Sequence, residues 1–407
     1  MSPALAATDT AAVIQTYKQI ASAKYIDALD TAKLLNEAVD ALIANPSQET
    51  LDAARQAWIA ARIPYQQTEA YRFGNPVVDD WEGRVNAWPL DEGLIDYVDP
   101  SYGSESDQNS LYTANVIANP QISINGNPVD ANTITPEFLS STLHEAGNVE
   151  ANVATGYHAI EFLLWGQDLN GTDAGAGNRP FTDYAKGEAC TNGNCDRRAD
   201  YLSAATELLV SDLEEMVANW AAGGAANAYL DGLQNASAIS VMLTGMGSLS
   251  YGELAGERMK LGLILHDPEE EHDCFSDNTQ ASHLNDAVGI RNVYLGSYVR
   301  VDGSVISGPS LSDLVREQNA ELDNEMRAKL DTTISAMNRM NDRAAAGEAY
   351  DQQIAEGNTD GNAGVQAAID ALIDQTRSIE RIITLLDLGT VELEGSDSLD
   401  SPNAIFQ

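Results

Sequence analysis

Basic residues are scarce in this chain. Its 407 residues include 22 lysines and arginines against 62 aspartates and glutamates, a formal net charge of −40. A surface with that surplus repels phosphate backbones, which excludes nucleic acid as a partner, and it disfavours docking on anionic lipid. Cysteine is rarer still, at three, and histidine stands at five. Two of the cysteines, Cys190 and Cys195, flank the turn-rich "TNGN" and can close a small disulfide, leaving Cys274 over. With no histidine beside them they make a poor zinc site. No run reaches 18 apolar residues, so no segment reads as a transmembrane helix. The G-x-G-x-x-G, Walker and G-x-S-x-G patterns are absent, which leaves nucleotide-binding and serine-hydrolase readings without support. The zinc-hydrolase pattern H-E-x-x-H fails in "HEAGN" at Asn148, and the inverted pattern fails in "HAIEF" at Phe162. His144 and Glu145 therefore read as ordinary helix surface.

What is present points to helices. Hydrophobic residues make up 43% of the chain, enough for a sizeable core, and alanine is abundant. Apolar side chains recur at helical spacing over 11–44. A second helix is expected over 47–73, capped by Ser47, kinked at Pro64 and stopped at Gly74. Residues 75–135 are rich in turn formers, and Ile122 and Ile124 ahead of Asn125–Gly126 give a weak hairpin signal. Thr135–Pro136 opens a helix through "EFLSSTLHEAG", and further helices are expected over 149–165, 197–220, 235–265, 311–345 and 364–387. Residues 167–197 read as a polar loop and 266–310 as an irregular acidic stretch. "TEAYRFG" at 68–74 echoes "GERMKLG" at 256–262, and "AIEFLL" at 159–164 echoes "SIERII" at 378–383. That register pairs Glu69 with Glu257, Glu161 with Glu380 and His158 with Arg377. The expected class is all-α: two similar helical bundles from an internal duplication, packed around a central cleft, with long irregular insertions. The bundles take residues 8–198 and 199–392, and an acidic C-terminal tail takes 393–407. The opening "MSPALAATDT" has the small-residue character of a signal cleavage site, so it reads as a starting Met on a trimmed export signal.

The densest chemistry lies in "GYHAIEFLLWG", 156–166. His158 and Glu161 stand three apart and share a helix face, the spacing with which helical bundles present an imidazole and a carboxylate to a metal. On spacing alone a buried His–Glu hydrogen bond is the commoner explanation. Glu69, near the end of the kinked helix with Arg72, is the candidate donor from a second helix. An imidazole–carboxylate set suits iron, manganese or zinc. "HDPEEEHDCFSDNTQASH", 266–283, holds three of the five histidines amid carboxylates without EF-hand spacing, and reads as a solvated acidic loop. Within it "CFSDNT" reads as a structured loop at a site rim, which brings in His272 and Asp277.

These residues carry a family resemblance. "GYHAIEFLLWG" resembles the G-x-H-x-x-E motif of the imelysin-like family, also classed as M75 peptidases and including the iron-regulated protein A type. "EAYRFG", "NAWPLDEGLIDYV" (86–98), "GNRPFTDYA" (177–185), "GERM" (256–259) and "EEEHDCFSDNT" (269–279) are similar in the same order. The resemblance implies two similar helical bundles with the motif near their cleft. It also implies export to the periplasm or outer envelope, often as a lipoprotein, and a part in iron acquisition. Gly156, His158 and Glu161 occupy the motif's named positions. The implied site has His158, Glu161 and Glu69 as metal ligands. Gly156, Arg72, Trp88, Arg258, Glu257, His272 and Asp277 would surround them or the ligand. Iron (Fe2+ or Fe3+), free or as a complex, is the implied cargo, with another divalent metal as the variant and outer- or inner-membrane transport components as partners. A metal-dependent peptidase is the alternative activity, and a scaffold holding a protein or haem-like ligand is the third.

Overall fold

In the computed structural model residues 8–403 are described, and they are mostly helical. The small-residue start of the expected export signal falls mainly on residues 1–7, outside the described residues. Helix α1 (Thr10–Ala44) begins where the Asp9 side chain accepts from the Ala11 amide. Ser47 and Thr50 form a reciprocal capping box for α2 (Gln48–Gln66). This helix stops earlier than its apolar period suggests. Pro64 has no N–H for the preceding turn, and Thr68 donates twice to the Tyr65 carbonyl, through its amide (2.7 Å) and its hydroxyl (2.6 Å). The chain then tightens into a single 3-10 turn, Glu69–Tyr71, and leaves through Gly74 at φ +85°.

After α3 (Pro76–Asn86) comes the expected irregular region, with the hairpin β1 (Gln121–Ile124) and β2 (Asn127–Asp130) turning at Asn125–Gly126, both at positive φ. Helix α4 (Pro136–Phe138) runs into a π turn over Leu139–Leu143 and ends there. His144 is consequently not on a helix surface. It is half-buried in extended backbone, and its Nδ1 lies 3.3 Å from the Thr155 hydroxyl. Residues 149–155 lie outside any helix too, and α5 spans only Gly156–Trp165. The long α6 (Cys195–Trp220) starts at a disulfide between Cys190 and Cys195, as expected, and Cys274 is free. Short α7 (Ala225–Asp231) leads to α8 (Asn235–Ser248), which continues as a twelve-residue π-helical run, Leu249–Lys260, and finishes as α9 (Leu261–Leu265).

The stretch 266–310 departs most from its sequence reading. It contains a 17-residue helix, α10 (Thr279–Leu295), and the hairpin β3 (Ser297–Val299) and β4 (Val305–Ser307). Helix α10 shows no apolar stripe because polar Ser282, His283, Asp286 and Asn292 are buried alongside Ile290, Val293 and Tyr294, while apolar Leu284, Val288 and Leu295 lie on its half-buried face. The helical stretch 311–345 is two helices, α11 (Leu311–Gln318) and α12 (Ala320–Ala345), divided at Asn319, whose side chain caps the second. Then follow α13 (Tyr350–Ile354), α14 (Thr359–Leu385) and α15 (Asp397–Asp400). The C-terminal segment is docked on the helices: Glu394 donates its amide to Ser248, Ser398 donates to the Gly256 carbonyl, and Asp400 accepts from the Tyr251 hydroxyl at 2.7 Å.

Helix α1 packs on both α2 and α6, and α14 packs on α12 and on the π-helical run. Helix α10 touches both sets, lying against α2 and the Glu69–Tyr71 turn on one side and α12 on the other. Residues matched by the proposed duplication do not share surroundings: Glu69 and Glu161 are buried, Glu257 and Glu380 exposed.

Candidate metal centre

Every residue of α5 is buried, so its two polar side chains face protein, not water. The helix can enter so deeply because residue 156 is glycine. Gly156 sits at φ +78°, and a Cβ there would lie 2.3 Å from the Val85 carbonyl oxygen of α3. Gly156→Ala is expected to lose about 2–4 kcal/mol of stability, from overpacking plus left-handed strain, read as a lower urea midpoint at unchanged slope. A midpoint equal to that of the parent would show that α3 yields freely.

One turn in, His158 Nδ1 lies 3.1 Å from Glu161 Oε2. The other carboxylate oxygen of Glu161 accepts from the Ser276 amide (3.0 Å) and hydroxyl (2.6 Å), which ties α5 to the loop before α10. That loop delivers His272 and Asp273. The His158 and His272 rings meet edge to face at 4.7 Å, and Asp273 Oδ1 is 4.0 Å from His158 Nδ1 and 3.5 Å from His272 Nδ1. One donor atom from each of His158, His272 and Asp273 falls within 4.8 Å of the others, and all three residues are at most 2% exposed. His158 Nε2 has no hydrogen-bond partner.

Burial pushes His158 down to about 3, with the Arg62 charge adding to it, so the imidazole is neutral and its nitrogens are available as donors. His272 is likewise held well below the ordinary histidine value by burial and by Arg258. Burial raises Glu161 well above the usual carboxylate range, and the neighbouring Asp273 charge raises it further. For Asp273 burial is outweighed by Arg62, which holds the carboxylate ionised. Arg62 reaches Asp273 Oδ1 at 2.7 Å and Asn86 Oδ1 at 2.6 Å. Asp273 also accepts from Asn278 (2.9 Å) and from the Ser282 hydroxyl of α10.

Glu69 is not one of the converging donors. It is buried, and its Oε2 accepts from Arg258 at 2.8 Å. Arg258 also pairs with Glu253 (2.7 Å) and Asp286 (3.2 Å), while Arg72 approaches Glu82 and Glu253 at 3.6 Å each. The connected cluster thus holds seven carboxylates (Glu69, Asp79, Glu82, Glu161, Glu253, Asp273, Asp286) against three guanidiniums (Arg62, Arg72, Arg258). Arg72, Trp88, Glu257, Arg258 and His272 line a cavity of about 280 Å³ that leads to this cluster, and the Trp88 ring stands 5.8 Å from His272. Asp277 is half-buried and does not line this cavity; burial, and next the charge of Asp351, push it up to about 7. Asp273, Arg62 and Ser276 were not among the sequence-derived site residues. Arg62 could have been noticed one turn after Trp58 and one before Gln66, a charged residue at an otherwise buried α2 position.

The family model of peptidase M75, described as imelysin, matches residues 21–379. The chain belongs to the imelysin family. It is 34% identical over 77 residues to iron-regulated protein A of Synechococcus elongatus, a match covering 19% of this chain and 22% of that protein. A crystal structure described as an iron-regulated protein A precursor from Parabacteroides distasonis has the same fold, with a TM-score of 0.66 at 22% identity, covering 95% of this chain and 97% of the other. Among the described residues of this imelysin-family chain, no helix is long and apolar enough to cross a membrane.

The carboxylate excess has a consequence for pH. Burial, and next the charge of Glu69, push Glu82 up to about 7 from an ordinary 4.5. Between those values the folded protein keeps a proton that the unfolded chain releases, so stability falls as pH rises from about 4.5 to 7. Urea midpoints at pH 5 and 7.5 are expected to differ less in Glu82→Gln than in the parent; an undiminished difference would assign the slope to other groups.

Proposed function

We propose that this protein is an extracytoplasmic iron-binding protein that takes up iron, free or as a small complex, and passes it to membrane transport components. The observation that carries the reading is the buried trio of His158, His272 and Asp273, with an unpartnered imidazole nitrogen inside a cluster short of positive charge. Two imidazoles and one carboxylate fit Fe2+, Mn2+ or Zn2+ better than a soft-metal ion. Glu161 supports the trio: with its charge expressed it accepts from His158 Nδ1–H and leaves the Nε2 lone pair to the cargo. The iron-regulated protein A names of two similar proteins favour iron among these metals. The precursor name of one favours export, and a periplasmic or outer-envelope location belongs to the proposal.

The peptidase alternative needs a carboxylate free to activate water at an open metal position. Glu161 has one oxygen on Ser276 and the other on His158, and the trio is enclosed, which favours holding a metal over hydrolysis. Within the binding reading, the two bundles and their cleft would let ions enter beside Trp88. The test is calorimetric titration of chelator-stripped protein with Fe2+, Mn2+, Zn2+ and Cu2+ in parallel. One strong site with iron among its ligands supports the proposal. No binding of iron at the ion concentrations that saturate other metals would remove it.

A further inference from the structure

Arg62 holds atoms of the histidine trio that a metal would need. Its Nη2 donates to Asp273 Oδ1 at 2.7 Å and lies 3.3 Å from His272 Nδ1, and its Nε lies 3.4 Å from Asp273 Oδ2. A guanidinium only donates, so its contact with His272 uses the lone pair on Nδ1. The Gln66 amide nitrogen approaches the same Nδ1 at 3.4 Å. Two of the three residues in the trio are thus engaged by one permanent positive charge, buried with them. An ion bound to Asp273 and His272 would stand about 2.0–2.2 Å from each donor atom. The single lone pair on His272 Nδ1 cannot serve both the ion and Arg62. Two positive charges that close, in a poorly screened interior, also repel strongly. These donors can hold the guanidinium or the ion, but not both in the same posture.

We propose that Arg62 is a built-in competitor for the cargo: it holds Asp273 and His272 in the ion-free protein, withdraws when a divalent ion enters, and returns as the ion leaves. The proposal rests on the metal-binding reading of the trio and adds how that site stays releasable. Arg62 has a path of withdrawal. Its Nη1 donates to Asn86 Oδ1 at 2.6 Å, and the Asn86 amide donates to Glu82 Oε1 at 3.0 Å. Asn86 and Glu82 both line the cavity of about 280 Å³, so a guanidinium pivoting on Asn86 moves towards open space and a carboxylate. The rings of Trp58, Tyr65 and Tyr157 lie near it and favour a cation throughout. Parting Arg62 from Asp273 costs free energy, which lowers the affinity for the ion. By reciprocity the bound ion weakens the Arg62–Asp273 pair by the same factor.

Calorimetric titration of the chelator-stripped full chain with Zn2+ and Fe2+ compares the parent with Arg62→Met. The variant is expected to bind each ion at least about tenfold more tightly, at one site per chain, because no competitor has to leave. Saturating Zn2+ should also raise the melting temperature of Arg62→Met by more than that of the parent. The gain in affinity should disappear when His158→Ala is added; a tighter site that ignores His158 lies elsewhere and overturns the proposal. A parent that binds, with a variant that binds no more tightly, overturns the role of Arg62 and leaves the site standing. Absence of binding in both removes the site itself, and the competitor with it. If Arg62→Met does not fold, a crystal structure of the parent with Zn2+ at the trio decides. Arg62 Nη2 is then expected beyond hydrogen-bond distance of both Asp273 Oδ1 and His272 Nδ1, and a guanidinium still bonded to both overturns the proposal.

Discussion

Arg62→Met is expected to cost about 3–5 kcal/mol of stability in the metal-free protein, the largest loss from any single charge removal around the trio. The guanidinium is 1% exposed and makes close charged or polar contacts with Asp273 and Asn86. Its flat faces lie over Trp58, Tyr65 and Tyr157, with centroid distances of 5.5, 5.8 and 5.1 Å. Methionine fills much of the same volume and packs on the same rings, so the cavity contribution is small. What remains is Asp273, fully buried, with Asn278 and Ser282 but no positive charge. Breaking a buried pair from one side is costly for that reason, whereas removing both partners is often close to neutral. Arg62→Met with Asp273→Asn should therefore regain a large part of the loss, giving a coupling energy well above 1 kcal/mol in a double-mutant cycle. Additive losses in urea unfolding would mean that Arg62 acts through packing on the aromatic rings and not through Asp273.

The long helices were legible because their environment has two sides. Helices α1, α2, α6 and α14 carry a core face and a water face, so apolar spacing and, for α2, the Ser47 cap announce them, although α2 stops at Gln66 and not at Gly74. Helix α10 was illegible for the opposite reason. It packs between α2 and α12 with polar residues turned into the protein and apolar ones on its half-buried face, which erases the signal of amphipathic spacing. The site divides in the same way. His158 and Glu161 are neighbours in sequence, so their shared face could be read from spacing three. Their partners arrive from a segment more than a hundred residues away, and His272–Asp273 has the same composition as any acidic loop until folding buries it. Glu69 was attractive as a carboxylate at the end of a kinked helix. Its position was right for the cluster, but Arg258, nearly two hundred residues later, occupies it.

That difference separates the roles of the carboxylates. His158→Ala and Asp273→Asn each remove a donor and are expected to lower iron affinity by more than about 100-fold, beyond what loss of a supporting partner usually costs. Glu161→Gln keeps an oxygen that accepts from His158 Nδ1–H, but it gives up the charge that the carboxylate can express once a bound cation offsets its burial. The expected loss is about 10–100-fold, with one site per chain preserved. Glu69→Gln disturbs Arg258, not the trio, and should change affinity least of the four. Calorimetric titration of the four stripped variants with Fe2+ measures this order directly. If Glu69→Gln loses as much as His158→Ala while Asp273→Asn binds like the parent, the ion sits on the Arg258 side of the cavity and the trio is only a buried hydrogen-bonding group. The expected order instead follows from the unpartnered Nε2 of His158, left over after Glu161 is satisfied, and from the carboxylate that Arg62 keeps ionised in the same buried trio.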